Sequence, residues 1–101
     1  MNQVKPDIIA DVQLIRPEDG GRFSATPDDF FACSLIINEI KYDCRIILDC
    51  TGRLHPGEER RLGIKFLNPN LVASYISVGS LFQVWDGKVI GNCTVVKIIE
   101  T

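Results

Sequence analysis

The sequence predicts an all-β fold: a small closed or nearly closed antiparallel β-barrel of six to seven short strands, with at most one short helix. Three observations support this. Runs of alternating apolar and polar residues recur at short spacing, turn-forming residues separate them, and helical periodicity is almost absent. Closing the sheet leaves no exposed strand edge. Residues 1–101 are interpreted as one domain, because a chain of this length builds a single core.

Each predicted strand is recognised by its own apolar pattern. The first alternates from Ala10 onward, with Val12 and Leu14 on the same face, and a turn cluster at 17–21 ends it. The later strand runs are residues 30–37, 40–48 and 60–67 and the two arms of a hairpin within 82–100. Residues 22–29 carry no periodicity and are interpreted as a surface loop.

Two connections carry specific signals. Asn38-Glu39 can turn the chain between the second and third strands. Residues 71–76 are predicted to form one short helical turn, with Asn70 as its N-cap and with Leu71 and Tyr75 on the same side.

The closing hairpin is the most informative segment of the chain. Asp86-Gly87 between two apolar arms predicts a two-residue turn of the primed type, which requires positive φ at both positions. Gly91 interrupts the second arm and predicts a β-bulge or a close approach of another backbone. Trp85 either faces outward as a binding anchor or faces inward to close the barrel, and the sequence leaves both open.

Composition permits a core without metal or crosslinks, because 46% of the residues are hydrophobic. The expected core residues lie on the apolar faces of the predicted strands. They are Val12, Leu14, Ile46, Leu48, Leu62, Ile64, Phe66, Val84 and Val95.

The cysteines are interpreted as four free thiols at Cys33, Cys44, Cys50 and Cys93. No two of them are two to four residues apart, and His55 is the only histidine, so the spacing disfavours structural zinc. The three cysteines on predicted strands are expected to pack as small core residues. We therefore expect no metal and no cofactor.

A cytoplasmic location and the absence of enzymatic activity are further expectations. The N-terminal residues carry no apolar signal region, and no apolar run is long enough to span a membrane. Free thiols fit a reducing compartment. His55 lies in a His-Pro-Gly turn with no nucleophile or carboxylate placed beside it by spacing, so no catalytic constellation is predicted.

Four segments together resemble the third, C-terminal β-barrel domain of elongation factor Tu. They are residues 11–15 followed by Gly20-Gly21-Arg22, the Pro56-Gly57-Glu58 turn, residues 66–69, and the closing hairpin with Gly87, Gly91 and its Val-Val-Lys-Ile-Ile-Glu ending. Their order and spacing hold across most of the chain. The resemblance implies a translation-factor-like barrel. Because the family's phosphate-binding and guanine-reading motifs are absent from this sequence, it does not imply GTP hydrolysis.

The first functional hypothesis is a non-catalytic module that engages a protein partner, of which a bacterial immunity or inhibitor protein would be one form. In the resembling family the Gly-Gly-Arg loop and the closing hairpin lie on functional surfaces. Here Phe23 stands where that family has a histidine, which makes the loop more apolar. An aromatic anchor suits protein contact better than phosphate contact. The expected surface therefore combines Gly21, Arg22 and Phe23 with Trp85.

The alternative hypothesis is an RNA- or tRNA-binding accessory protein. The resemblance places Arg22 and Gly91 at positions near the family's tRNA surface. The densest basic cluster is Arg53 with Arg60 and Arg61, which either contacts phosphate or forms a solvated strand edge that discourages strand addition. A net charge of −2 gives no electrostatic footprint for nucleic acid.

Overall fold

A computed structural model describes residues 4–99, and just under half of them belong to six β-strands. The strands are β1 Ile8–Leu14, β2 Phe30–Ile37, β3 Ile40–Ile47, β4 Glu59–Phe66, β5 Leu81–Trp85 and β6 Val89–Ile98. One helix, α1 Pro69–Val72, and two 3₁₀ turns, Pro17–Asp19 and Ala73–Tyr75, lie in the connections. The predicted all-β class is confirmed, with six strands.

The strands close into an antiparallel barrel in the order β1-β4-β3-β2-β5-β6, with β6 returning to β1. The strand β4 is internal to this order, since it pairs with β1 on one side and with β3 on the other. The interpretation of Arg60 and Arg61 as guards of an exposed sheet edge is therefore wrong. The closed order gives β4 a neighbour on both sides, so it is not an edge strand.

The core fills the barrel with the inward-facing residues of all six strands. All nine residues expected from the alternation are buried, which confirms that prediction. Leu54, from the β3–β4 connection, and Val72, from α1, are also fully buried and close the two ends of the barrel. The sequence pattern missed both because they lie outside the strands.

The two ends of the barrel carry different connections. We call one the loop end, formed by residues 15–29, 48–58 and 86–88, and the other the cap end, formed by residues 38–39 and 67–80. At the loop end the Leu14 N–H donates to the Glu58 carbonyl at 3.0 Å, and the Ile15 N–H donates to the Ile90 carbonyl at 2.9 Å. The first bond ties the end of the 48–58 segment to β1, and the second ties the start of the 15–29 segment to β6.

The closing hairpin forms, but its turn differs from the expected one. The turn contains three residues, 86–88, because Trp85 pairs with Val89. Only Gly87 has positive φ, at 75°, so the two-residue primed turn predicted for Asp86-Gly87 is wrong. The cause is a register shift beside Trp85, which leaves Ile90 as the extra residue of a bulge.

Both features that the sequence suggested at Gly91, a β-bulge and a close approach of another backbone, occur at this point of β6. It is buried next to the register shift, and a Cβ at this position would overlap the carbonyl oxygen of Gln13 on β1. Only glycine lets β6 pass this close to β1.

The primed turn occurs instead between β2 and β3. Ile37 pairs with Ile40, and the two residues between them, Asn38 and Glu39, have φ of 54° and 68°. Positive φ at both central positions is the pattern of a type I′ hairpin. Asparagine adopts this backbone readily, whereas glutamate does so at a cost.

The helix near residue 70 begins earlier than expected. Asn68 is the N-cap residue and Pro69 is the first helical position, so the prediction that Asn70 caps the helix is wrong. Proline is favoured there because its missing N–H has no partner in the first turn in any case. Leu71 and Tyr75 are both exposed at the cap end.

Candidate functional site

The loop end brings the 20–23 loop against the 86–88 turn of the closing hairpin. The Lys88 ammonium donates a hydrogen bond to the Gly21 carbonyl at 3.3 Å. The Arg22 Nη1 lies 3.8 Å from the Asp86 carboxylate. The two segments that the sequence proposed as one surface are therefore adjacent in the fold.

Gly21 shapes the loop and is buried. Its N–H donates to the Arg16 carbonyl at 2.9 Å, and a Cβ would overlap the Ile15 carbonyl oxygen. Gly20, with φ of 97°, ends the preceding 3₁₀ turn in the left-handed conformation. The two glycines let the chain fold tightly back on itself before Arg22.

Arg22 is largely committed to packing. Its guanidinium carbon lies 4.7 Å from the centroid of the buried Phe31 ring, and its Nε donates to the Ser24 carbonyl at 3.1 Å. The Nη1 is buried without a hydrogen bond, because the Asp86 oxygen at 3.8 Å is too distant for one. The Arg22 side chain therefore packs between the loop and Phe31 and stabilises the loop.

Phe23 projects from this support into solvent. It is 86% exposed, the highest exposure among the large hydrophobic residues of the described chain. The Lys88 ammonium lies 5.9 Å from the ring centroid, at the outer limit of a cation–π contact. An aromatic side chain held this far out of the core has its apolar area available to a partner.

The loop that carries Phe23 is anchored further along by Thr26. Thr26 is 1% exposed, and its N–H donates to the Leu54 carbonyl at 3.0 Å while its hydroxyl accepts the Leu54 N–H at 2.9 Å. Arg53 adds a hydrogen bond to the Thr26 carbonyl at 3.1 Å. The segment interpreted as a surface loop thus has a buried anchor that its sequence does not reveal.

Trp85 lies on the outer face of β5, while its neighbour Val84 points into the core. The ring is half-buried, and the Lys41 ammonium lies 4.6 Å from its centroid. Of the two orientations the sequence left open, the structure shows the outward one. Trp85 faces a surface groove of about 630 Å³ that crosses the outer faces of β5, β2, β3 and β4.

Arg53, Arg60 and Arg61 do not form one basic patch. Arg60 lies at the start of β4 on the same side as Leu62, and its guanidinium binds Glu58 at 2.6 Å. The same guanidinium donates to the carbonyl oxygens of three loop residues, Thr51, Gly52 and Arg53. Arg61 lies on the opposite side of the strand. Arg53 and Arg60 hold the loop end together, whereas Arg61 binds Asp11 on β1.

The carboxylates that pair with these arginines have lowered pKa values. Arg61 binds Asp11 at 2.8 Å, and this hydrogen bond lowers the pKa of Asp11. The pKa of Glu58 is lowered first by the hydrogen bond from the His55 main-chain N–H and then by Arg60. His55 is exposed and contributes its backbone to this contact.

The buried cysteines are poor nucleophiles. Cys33 and Cys44 are opposite each other on β2 and β3, with their sulfur atoms 3.8 Å apart, and all four cysteines are free. The neighbouring Cys33 thiol and burial raise the pKa of Cys44, and burial raises the pKa of Cys93 to about 12. Cys33, Cys44 and Cys93 are buried core residues, as expected from their positions, whereas Cys50 is exposed.

Residues 4–99 contain no group of three or more His, Cys, Asp or Glu side chains arranged to hold a metal ion. None of the helices in this part of the chain has the length and apolar character needed to cross a membrane. No protein-family model matches the sequence, and no curated protein matches it significantly. Functional inference therefore depends on the geometry of the loop end and the groove.

The sequence did not predict that Lys41, Asp86 and Lys88 lie close to Arg22, Phe23 or Trp85. Asp86 and Lys88 flank Gly87 in the turn, so their proximity to Trp85 in the sequence was an available signal. Lys41 could not be found in this way, because its approach to Trp85 depends on how β5 pairs with β2.

Proposed function

We propose that this protein is a non-catalytic binding module that engages a protein partner through its loop end. The contact surface, which we call the Phe23 surface, consists of Arg22, Phe23, Trp85, Asp86 and Lys88. The observation that carries the proposal is the 86% exposure of Phe23 on a loop whose backbone is fixed on both sides. A rigid aromatic anchor loses little conformational entropy on binding and gains from desolvation.

The proposal includes kinship with the third domain of elongation factor Tu, as a stand-alone barrel that acts in the cytoplasm. The antiparallel barrel architecture supports the fold part of this kinship, and the free thiols support a reducing compartment. An immunity or inhibitor-type protein is one form that such a module takes. The internal hydrogen bonds of Arg53, Arg60 and Arg61 argue for a protein rather than a nucleic acid as the partner.

Site-specific photo-crosslinking tests the proposal. The photoreactive amino acid p-benzoylphenylalanine replaces Phe23 in one protein and Leu71 in a control. Leu71 is 58% exposed and lies at the cap end of the barrel. In extracts of the native host, position 23 is expected to give a discrete, protease-sensitive adduct that resists ribonuclease, and position 71 is not.

Two outcomes would contradict the proposal. Equal adducts from positions 23 and 71 would show that the exposed apolar residues capture proteins without specificity. A ribonuclease-sensitive adduct at position 23 would show that the partner is RNA.

A further inference from the structure

Two buried cysteines face each other inside the barrel and have no part in the Phe23 surface. Cys33 on β2 is directly opposite Cys44 on β3, and the two sulfur atoms are 3.8 Å apart. Both thiols are free, and the two residues are 9% and 4% exposed. Oxidation can join two thiols that lie this close together on neighbouring strands, so the pair is a candidate modification site.

The pairing of β2 with β3 supplies the geometry that a disulfide requires. Directly opposite residues of antiparallel strands have Cα atoms roughly 4.5–5.5 Å apart. A disulfide is accommodated when this separation is about 4.4–6.8 Å, so the backbone already has the required spacing. The sulfur atoms need only approach each other from 3.8 Å, which rotation about the two Cα–Cβ bonds provides.

The other two cysteines lack this relation. Cys93 on β6 is opposite Val12 of β1 and Phe82 of β5, so neither neighbouring strand places a cysteine beside it. Cys50 is exposed in the connection between β3 and β4. Among the described strands, β2 and β3 therefore hold the one pair of cysteines at opposite positions.

A bond between Cys33 and Cys44 would close a loop of residues 33–44. This loop contains the turn in which Asn38 and Glu39 have positive φ. A crosslink stabilises a protein mainly because it removes conformational entropy from the unfolded chain. Since the folded strands already hold the two residues side by side, the crosslinked protein is expected to be the more stable form.

We propose that Cys33 and Cys44 are a reversible oxidation site, at which a small peroxide converts the two thiols into a cross-strand disulfide that stabilises the barrel. Cys33 is the more exposed of the two and is the thiol that reacts first. The groove beside Trp85 offers hydrogen peroxide an approach, since both cysteines are among the residues that line it.

The oxidation consists of two balanced steps. The Cys33 thiolate attacks one oxygen of hydrogen peroxide, the O–O bond breaks and hydroxide leaves, so that Cys33 becomes a sulfenic acid. The Cys44 thiolate then attacks the Cys33 sulfur, the S–S bond forms and a second hydroxide leaves. The two hydroxides combine with the two thiol protons as water, and the two thiols have given two electrons to the peroxide. A small thiol reverses the reaction by exchange.

The reaction is slow at neutral pH. The neighbouring Cys33 thiol and burial raise the pKa of Cys44, so little thiolate is present. Because the thiolate is the reactive form, the rate of oxidation rises with pH. The pair therefore responds to sustained exposure to peroxide and does not remove peroxide rapidly.

Peptide mapping after oxidation tests the proposal. The Cys50→Ser protein is used, because the exposed thiol of Cys50 otherwise reacts first. The folded protein is treated with hydrogen peroxide, catalase removes the excess, and the remaining thiols are alkylated after unfolding. The number of free thiols in the unfolded chain is expected to fall from three to one.

Trypsin separates the two cysteines, because it cleaves after Arg22, Lys41 and Arg45 and so releases peptides 23–41 and 42–45. We expect mass spectrometry to find these two peptides joined, and dithiothreitol to separate them. Oxidation should also raise the Tm by on the order of 10 °C, and dithiothreitol should return the Tm to its starting value.

Matched variants identify the partners. In the Cys50→Ser background, Cys93→Ala should leave the link intact, whereas Cys33→Ala should abolish it. The urea-unfolded protein shows what chance pairing gives, since Cys93 then competes with the other two cysteines.

Several results would overturn the inference. These are the absence of the joined peptides after oxidation at alkaline pH, a link to Cys93 in the folded protein, or a Tm that falls on oxidation. The same mixture of pairings in the folded and the urea-unfolded protein would also overturn it, because the fold would then not select the pair. The outcome is independent of the crosslink at position 23, which tests the proposed function.

Discussion

Replacing Glu39 with glycine should stabilise the protein. Glu39 occupies the second central position of the β2–β3 turn at φ of 68°, where an L-residue with a Cβ loses roughly 1–2 kcal/mol. Glycine removes this cost but loses about 0.5–1 kcal/mol more backbone entropy on folding. The net expected gain is about 0.5–1 kcal/mol. Asn38 is left in place, because Asn-Gly is the favoured pair for this turn.

Urea denaturation measures the effect as a rise in the transition midpoint without a change in slope. For a domain of this size, a gain of about 1 kcal/mol also raises the Tm by roughly 4–8 °C. Glu18→Gly is the matched control. Glu18 is also an exposed glutamate and lies in the 3₁₀ turn, where φ is not positive, so the same exchange should destabilise the protein. Equal destabilisation by both changes would refute the described turn.

Three further predictions concern the loop end and the core. Gly21→Ala should destabilise the fold by about 1–3 kcal/mol in urea titration, because the added Cβ meets the Ile15 carbonyl, and an unchanged stability would contradict the tight loop. Thiol titration at pH 8 should count one reactive cysteine, Cys50, in the native protein and four after denaturation, and a native count above one would contradict the burial of the others. Since the pKa of Glu58 is lowered in the folded state, its contribution to stability is present above its unfolded pKa of about 4.5 and is lost as the pH falls through the lower folded value. Glu58→Gln should therefore lower the Tm near pH 7, and its Tm should converge with that of the unmodified protein near pH 2, whereas a constant difference would assign the effect to packing.

The strand pattern and the core could be predicted because alternation is a local property of the sequence. Of the β3 and β4 residues that alternation assigns to the core, Cys44, Ile46, Leu62, Ile64 and Phe66 are buried and Tyr42 is partly buried, since one face of every strand must fill the barrel. Turn length was less predictable. It depends on the register between β5 and β6, and the bulge at Ile90 shifts that register by one residue.

The candidate site was predicted in part. The glycine pair and Phe23 gave a local signal, and the structure places this loop against the closing hairpin. The separation of Arg60 from Arg61 follows from local alternation, because adjacent residues of a strand face opposite sides. The position of Lys41 beside Trp85 arises from long-range pairing, since β2 lies between β3 and β5.

The central claim is that Phe23 anchors a protein partner. The most direct measurement is the affinity of the partner identified by crosslinking for the unmodified protein, Phe23→Ala and Leu71→Ala, with urea titration of each. We expect Phe23→Ala to weaken binding by about tenfold or more, which corresponds to ~1.4 kcal/mol, while its stability remains unchanged. Leu71→Ala should bind normally. Unchanged affinity of Phe23→Ala, or an equal loss in Leu71→Ala, would contradict the claim.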